Sequence, residues 1–311
     1  MNFKELVERH PEVVEDRYAL SFTRQSKPAD IAAVFSRYGV VMLQQALPPD
    51  MLGASAEAIR RSAASPEARQ KSMRARDNGR DAETREGETY QGSWHSPWAV
   101  RDGVHFPAAA VLLAVIRSWT WDVVEEICRS SHLVVLLKWC TVRHNIDGLL
   151  GVGAHQDANV VAAEVPFSLW IPFNPITPGF ASGLGYVVPS PDGVLPTLLH
   201  DDIGADYVLA DPTRLWVPAY AVGDLTIHSG FSPHFTTGYG TGSDRFSLEV
   251  RVMARASAPA NYLDPAAFVS RRGGIPTIIE TRHSSDDGAG EFLASLERAG
   301  ASSTDLGQVV L

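Results

Sequence analysis

From His132 onward the chain reads as a succession of short strands, and that texture limits its architecture more than any other feature. HLVVLLKWCTVRH, residues 132–144, is rich in β-branched and apolar residues. Strand-like segments follow near 157–162, 167–173, 184–189, 214–220, 224–228, 234–238 and 245–254. Turn residues separate them: Asn174-Pro175, Pro178-Gly179, Pro191-Asp192-Gly193, Gly223-Asp224 and the run from Gly238 to Asp244. Many short strands with such punctuation close into a sandwich or barrel. Helices precede the strands instead of alternating with them, which excludes a parallel α/β sheet.

The N-terminal third reads as mostly helical. Pro28 to Tyr38 has helical apolar spacing with Gly39 as its stop, Val40 to Leu43 is a short strand, and Pro48-Pro49-Asp50 opens a helix running toward Arg61. Residues 70–105 are polar and read as a long loop, a length that usually means function or disorder. Phe106 to Arg129 reads as one long helix with Leu112, Val115, Ile116, Trp119, Val123 and Ile127 along a face. The expectation is a single domain, mainly β with helical decoration: a helical part over 1–131, a sandwich or barrel core over 132–256, and a loosely attached C-terminal extension over 257–311.

With 45% hydrophobic and 20% charged residues, the chain can bury a sizeable core. A net charge of −9 argues against nucleic acid or an anionic membrane as partner. The first residues lack a signal-peptide pattern, and no apolar run approaches membrane-spanning length, so a cytoplasmic protein is expected. Cys128 and Cys140 are expected to be reduced and buried. Nothing in the sequence sets an oligomeric state.

His-x-acid triplets can point to metal sites. Ten histidines and 36 acidic residues among 311 positions produce about one such triplet by chance. The chain has His10-Pro11-Glu12, His155-Gln156-Asp157 and His200-Asp201-Asp202. The first lies in a charged N-terminal segment and the third in a long connection, and both read as surface. His155 and Asp157 follow a glycine-containing loop and lead into a strand. Residues i and i+2 of an extended segment share a face, so imidazole and carboxylate can meet one cation. Two histidines and one carboxylate leave open positions on Fe(II). The third ligand must come from another strand, where His228 and His234 compete. Arg245, eleven positions after His234, offers a fork suited to a carboxylate.

HQD at 155–157, GDLTIHSGFSPH at 223–234 and SDRFSLEVR at 243–251 resemble the phytanoyl-CoA hydroxylase-like branch of the Fe(II)/2-oxoglutarate dioxygenases. That resemblance implies a double-stranded β-helix (a cupin-like jelly roll) packed by N-terminal helices. It matches His155, Asp157 and His234 to the iron ligands and Arg245 to the arginine holding the far carboxylate of 2-oxoglutarate. The implied reaction uses O2, forms succinate and CO2, and hydroxylates an unactivated C–H of a small molecule. A carboxylate at 157 argues against halogenation, since related halogenases have a small residue there. The chain departs from the family pattern at TTGYGTGS (236–243) and around Ser190-Pro191.

For substrate contact the candidates are Trp94, His95 and Trp98 from the long loop, then Trp139, Arg143, Trp170, Tyr186 and Arg251. Lys138, on the opposite face from Arg143, is placed beside 2-oxoglutarate or in solvent, and His144 reads as a loop histidine. Each aromatic has an alternative place in the core. Two other functions suit the same residues: a cupin-like metalloenzyme that does not use 2-oxoglutarate, and a non-enzymatic jelly-roll binding module.

Overall fold

The computed structural model describes residues 3–63, 92–95, 105–145, 153–159, 166–198, 203–237 and 245–282. Three helices come first: α1 (Phe3–Arg9), α2 (Pro28–Tyr38) and α3 (Pro49–Ala63). Between them run β1 (Ser21–Phe22) and β2 (Val40–Leu43). Gly39 ends α2 as expected. Its φ of 79° is left-handed, its N–H donates to the Phe35 carbonyl, and a Cβ there would collide with the Ser190 side chain.

β3 (Gly92–His95) lies inside the stretch expected to be all loop, and it pairs with β5. The expected long helix is two, α4 (His105–Arg117) and α5 (Thr120–Cys128). Ser118 breaks it: its hydroxyl donates to the Val115 carbonyl and accepts the Thr120 N–H, taking over bonds a continuous helix would make through the backbone.

The strand expected over 132–144 is also two, β4 (Leu133–Val135) and β5 (Thr141–Asn145), separated by a 3-10 turn at Leu137–Trp139. Both pair with the same edge of the ten-residue strand β11 (Arg245–Ala254), β5 along Arg245–Glu249 and β4 along Val252–Ala254. Of the intervening residues Leu136, Leu137 and Cys140 are buried and apolar, so periodicity alone could not show the break. The other strands are β6 (Phe167–Pro172), β7 (Gly183–Val187), β8 (Leu215–Trp216), β9 (Leu225–Ser229), β10 (His234–Thr237), β12 (Ala266–Arg272) and β13 (Ile275–Arg282), with a short helix α6 (Ala205–Leu209) before β8. The segment expected to be a strand over 214–220 pairs only at β8 and at an isolated Tyr220–Ile176 bridge. Pro218 lies between them and has no N–H to give.

Among the described residues the strands form two sheets. The major sheet of ten strands runs β1-β2-β9-β6-β11-β4-β12-β13, with β5 beside β11 and β3 beside β5; the minor sheet runs β10-β7-β8. This is the expected mainly β, double-stranded β-helix architecture, with sheets that do not close. Residues 266–282, expected to hang loosely, instead form a hairpin that extends the major sheet through β4, with Ala267, Val269 and Ile278 in the main core. Arg271 ties the hairpin to α5 by ion pairs with Asp122 and Glu125.

Alternation along the major sheet separates core from site. Phe246, Leu248, Val250 and Val252 of β11 join Leu169 and Ile171 of β6 and Leu225 and Ile227 of β9 against α2, α4 and α5. Their neighbours in sequence face the other way, toward the minor sheet: Arg245, Ser247, Glu249 and Arg251 on β11, Ser168 and Trp170 on β6, Thr226 and His228 on β9. All are buried. The space between the sheets therefore holds charged and polar side chains beside an apolar cluster that includes Met42, Trp170, Leu184 and Tyr186, whereas the helix side is apolar throughout. Cys140 is buried and free, and Cys128 is half-buried and free; burial pushes both thiols up to about 12. No helix among the described residues is long and apolar enough to cross a membrane.

Candidate metal centre

His155, Asp157 and His234 converge, each offering a ligand atom within 4.8 Å of the others. His234 is the first residue of β10 and forms an isolated antiparallel bridge with His155, through reciprocal backbone hydrogen bonds of 3.0 Å. Asp157 arrives differently from the expected pleat. The segment expected to be a strand over 157–162 begins as a 3-10 turn at Asp157–Asn159, and 160–162 lie outside the described residues. The turn is fixed from below by the Ala158 N–H on the Gly230 carbonyl.

The middle residue of the triplet explains why the segment sits still. Gln156 is fully buried, its amide nitrogen donating to the carbonyls of Gly193 and Phe231 and its oxygen accepting the Leu195 N–H. It pins the segment to two loops while its neighbours face the cavity.

The histidines are oriented for coordination. His155 Nδ1 lies 2.9 Å from the Gly153 carbonyl and His234 Nδ1 3.0 Å from the Ser232 carbonyl. A carbonyl can only accept, so each Nδ1 carries the proton and each Nε2 keeps its lone pair. Burial lowers both imidazoles below their usual range, His234 well below it, with the neighbouring rings of His155 and His228 adding to the effect there. Burial by itself would raise the Asp157 carboxyl, but Arg251 and the imidazoles of His228 and His234 outweigh it and hold the group well below its ordinary value. Two neutral imidazoles and one carboxylate suit a divalent first-row ion with open positions.

His228, the competing histidine, is fully buried with its ring centroid 4.6 Å from that of His234. Its Nε2 stands 3.8 Å from Asp157 Oδ2 and has no hydrogen-bond partner. It borders the cluster without joining it.

Arg245 lines the same small cavity as His155 and His234, together with Arg143, Trp170, Leu184, Thr236 and Glu249. The residue is 2% exposed, its guanidinium lies 5.1 Å above the Trp170 ring and donates to the Gly183 carbonyl at 3.5 Å, and no acid among the described residues pairs with it. Its Nε has no partner, nor does Ser247 Oγ two residues on. Burial, with Arg143 adding to it, pushes the guanidinium down to about 9. Arg143 instead pairs with Glu249 at 3.3 Å. Arg251, a substrate candidate from sequence, is engaged elsewhere: it donates to Asp157 Oδ1 at 2.7 Å, to Ser168 and to the Trp139 carbonyl.

The other sequence candidates scatter. Trp170 and Tyr186 lie between the sheets, Tyr186 with its ring 6.2 Å from that of His234. Trp139 packs edge-on against Tyr262, in a cluster with Leu136 and Phe268. Trp94 and His95 pair through their backbones with Val142 and Thr141, but their side chains and those of Lys138 and His144 lie outside the description, as do Trp98 and the 200–202 triplet. His10 pairs, among the described residues, with its neighbour Glu12, 3.3 Å away. Ser168, Ser247 and Glu249 were not singled out from sequence. Their signal was the polar-apolar alternation of FSLW and RFSLEVR, which marks a strand face that is buried and polar.

No protein-family model and no curated protein matches the chain. Among solved structures, the non-heme α-ketoglutarate-dependent carbocyclase SnoK from nogalamycin biosynthesis superposes with a TM-score of 0.53 at 14% identity, over 80% of this chain and 87% of SnoK. The apo form of the non-heme monooxygenase ThoJ gives 0.52 at 16%, over 85% and 94%. AviO1 from Streptomyces viridochromogenes Tue57 gives 0.51 at 17%, over 75% and 98%. The likeness establishes the fold.

Proposed function

We propose that this protein is a non-haem Fe(II)- and 2-oxoglutarate-dependent oxygenase that hydroxylates an unactivated C–H of a small molecule, within the phytanoyl-CoA hydroxylase-like branch its motifs resemble. The observation that carries the proposal is Arg245. A buried cation without a counter-ion costs several kcal/mol; this one has none among the described residues and, beside the unpartnered Ser247 hydroxyl, shares a cavity with two imidazoles prepared for a metal. A dicarboxylate reaching from metal to guanidinium satisfies both. A cupin-like enzyme that does not use 2-oxoglutarate, or a binding module, has no use for that arginine.

His155, Asp157 and His234 would hold the iron, and Arg245 with Ser247 would hold the distal carboxylate of 2-oxoglutarate. When bound, iron and co-substrate supply O2 activation coupled to decarboxylation. The protein fixes the ligands, keeps bulk water from the space between the sheets and anchors the co-substrate. Asp157 fills the position where related halogenases have a small residue, which favours oxygen transfer. SnoK and ThoJ are described as a carbocyclase and a monooxygenase, so the fold accommodates more than one outcome. The substrate class that fits is a small molecule with an aliphatic C–H near a polar or carboxylate handle.

The test is succinate release from protein supplied with Fe(II), ascorbate, 2-oxoglutarate and a panel of small molecules, with mass detection of a product one oxygen atom heavier. Succinate that depends on both 2-oxoglutarate and His155 supports the assignment. Metal-dependent turnover without succinate would favour the cupin-like alternative.

A further inference from the structure

Three polar side chains stand side by side on the inner face of the major sheet, two of them donating to Asp157, and none belongs to the metal triad. Ser168 on β6 is in register with His228 on β9 and, on its other side, with Arg251 on β11. The three therefore form a straight row across neighbouring strands, all buried. The row faces the Asp157 carboxylate. Ser168 Oγ donates to Oδ2 at 2.6 Å, Arg251 donates to Oδ1 at 2.7 Å, and His228 Nε2 is 3.8 Å from Oδ2.

We propose that His228, Ser168 and Arg251 form a cradle that positions the Asp157 carboxylate for the metal, an inference that rests on the ligand assignment above. Asp157 needs such help because it sits in a 3-10 turn, where no sheet pleat aims its side chain as one aims His234. Of the roughly four lone-pair sites on a carboxylate, Ser168 and Arg251 each take one. Oδ1 retains a free site on the side of His155, whose Nε2 is 4.0 Å away. His228 is held in the row by the Tyr186 hydroxyl, 3.5 Å from its Nδ1. A phenol donating there leaves the imidazole proton on Nε2, toward Asp157.

The cradle is itself anchored. Arg251 Nε also reaches Ser168 Oγ at 3.3 Å, its Nη1 donates to the Trp139 carbonyl, and Glu249 lies 3.7 Å from its Nη2. The alternative, that these residues only stabilise the fold, makes a different statement. A buried ion pair is weak evidence for stability, whereas outer partners of metal ligands set metal affinity by about 10–100-fold.

The experiment is Mn2+ titration of the full-length, metal-stripped protein without any co-substrate, with Co2+ absorption as a second readout. Wild type should bind one Mn2+. Ser168→Ala and Arg251→Met should each weaken it by about 10–100-fold, and Arg251→Lys should recover part of the loss by restoring the charge. His228→Leu should weaken binding less than His155→Ala does and leave the Co2+ band shape unchanged, because it removes no ligand. Ser168→Ala deletes one oxygen atom and keeps the test decisive if Arg251→Met does not fold. Variants that fold normally and bind within about twofold of wild type would overturn the cradle while leaving the triad intact. Loss of binding in His228→Leu equal to that in His155→Ala would make His228 a ligand and overturn its place here. Wild-type protein that takes up no Mn2+ would remove the triad, and the cradle with it.

Discussion

Arg245 is where a single side chain has the largest consequence. Losing charged hydrogen bonds to a carboxylate costs about 1.5–3 kcal/mol, so Arg245→Leu should raise the 2-oxoglutarate Kd by roughly 10–100-fold while Mn2+ affinity stays at the wild-type value, both measured by titration. Its pH dependence follows from the same burial. The guanidinium titrates near 9 in the free protein, far below its usual value, and a bound carboxylate favours the protonated form. Affinity for 2-oxoglutarate should therefore be level below about pH 8 and fall as pH rises through about 9, with proton uptake on binding in that range. A flat profile to pH 10 would show that the arginine keeps its proton unaided. The convergence of His155 and Asp157 and the nearness of Arg245 were legible in residue types and spacings, whereas His234 was preferred to His228 only through the family resemblance. Ser168 and Glu249 were not, because serine and glutamate on a strand ordinarily mark a solvated face, and only the opposing minor sheet makes this face an interior.

At the scale of elements, the sequence placed most strands between 132 and 254, missed β1, β3 and the β12–β13 hairpin, and failed where side chains divert the backbone. Ser118 splits one helix by bonding to its own turn, and the 3-10 turn at Leu137–Trp139 splits one strand within a run that is apolar apart from Lys138. The segment after His155 failed most instructively. His155 and Asp157 do converge, but through a bridge to His234 followed by a tight turn, with Gln156 bonded to loops on the far side. Gln156→Leu would remove the partner of the part-buried Leu195 N–H and of two carbonyls, at no more than about 1–3 kcal/mol for each group left unpaired. The expected result is a lower melting temperature and weaker Mn2+ binding together. A variant that lost stability alone would show that the segment is held in place by its bridge.

For the whole molecule, the run of short strands predicted a sandwich or barrel and the family resemblance narrowed it to the β-helix architecture, while 257–282 were misjudged because Arg271-Arg272-Gly273-Gly274 resembles a solvated linker. It is instead the turn of a hairpin whose apolar strands complete the major sheet and whose Arg271 is tied to α5. Ending the chain after Ser257 should expose the β4 edge and the core surface under Ala267, Val269 and Ile278. Such a protein should be recovered as aggregate, read by size-exclusion chromatography, and a soluble monomer with native melting behaviour would contradict this role.

The long strand β11 has a consequence of a different kind: it works as a ruler. Arg245 and Arg251 are fixed six residues apart on one pleat, about 20 Å of extended backbone, one serving the proposed co-substrate and the other the carboxylate that would face the metal. A strand cannot be lengthened by one residue without turning every later side chain over. A single insertion between 245 and 251 would send one arginine into the apolar, helix-side core. The gauge between the two anchors can thus change only in steps of two residues, so new chemistry on this scaffold has to be written in the loops around the cavity while the strand keeps its length.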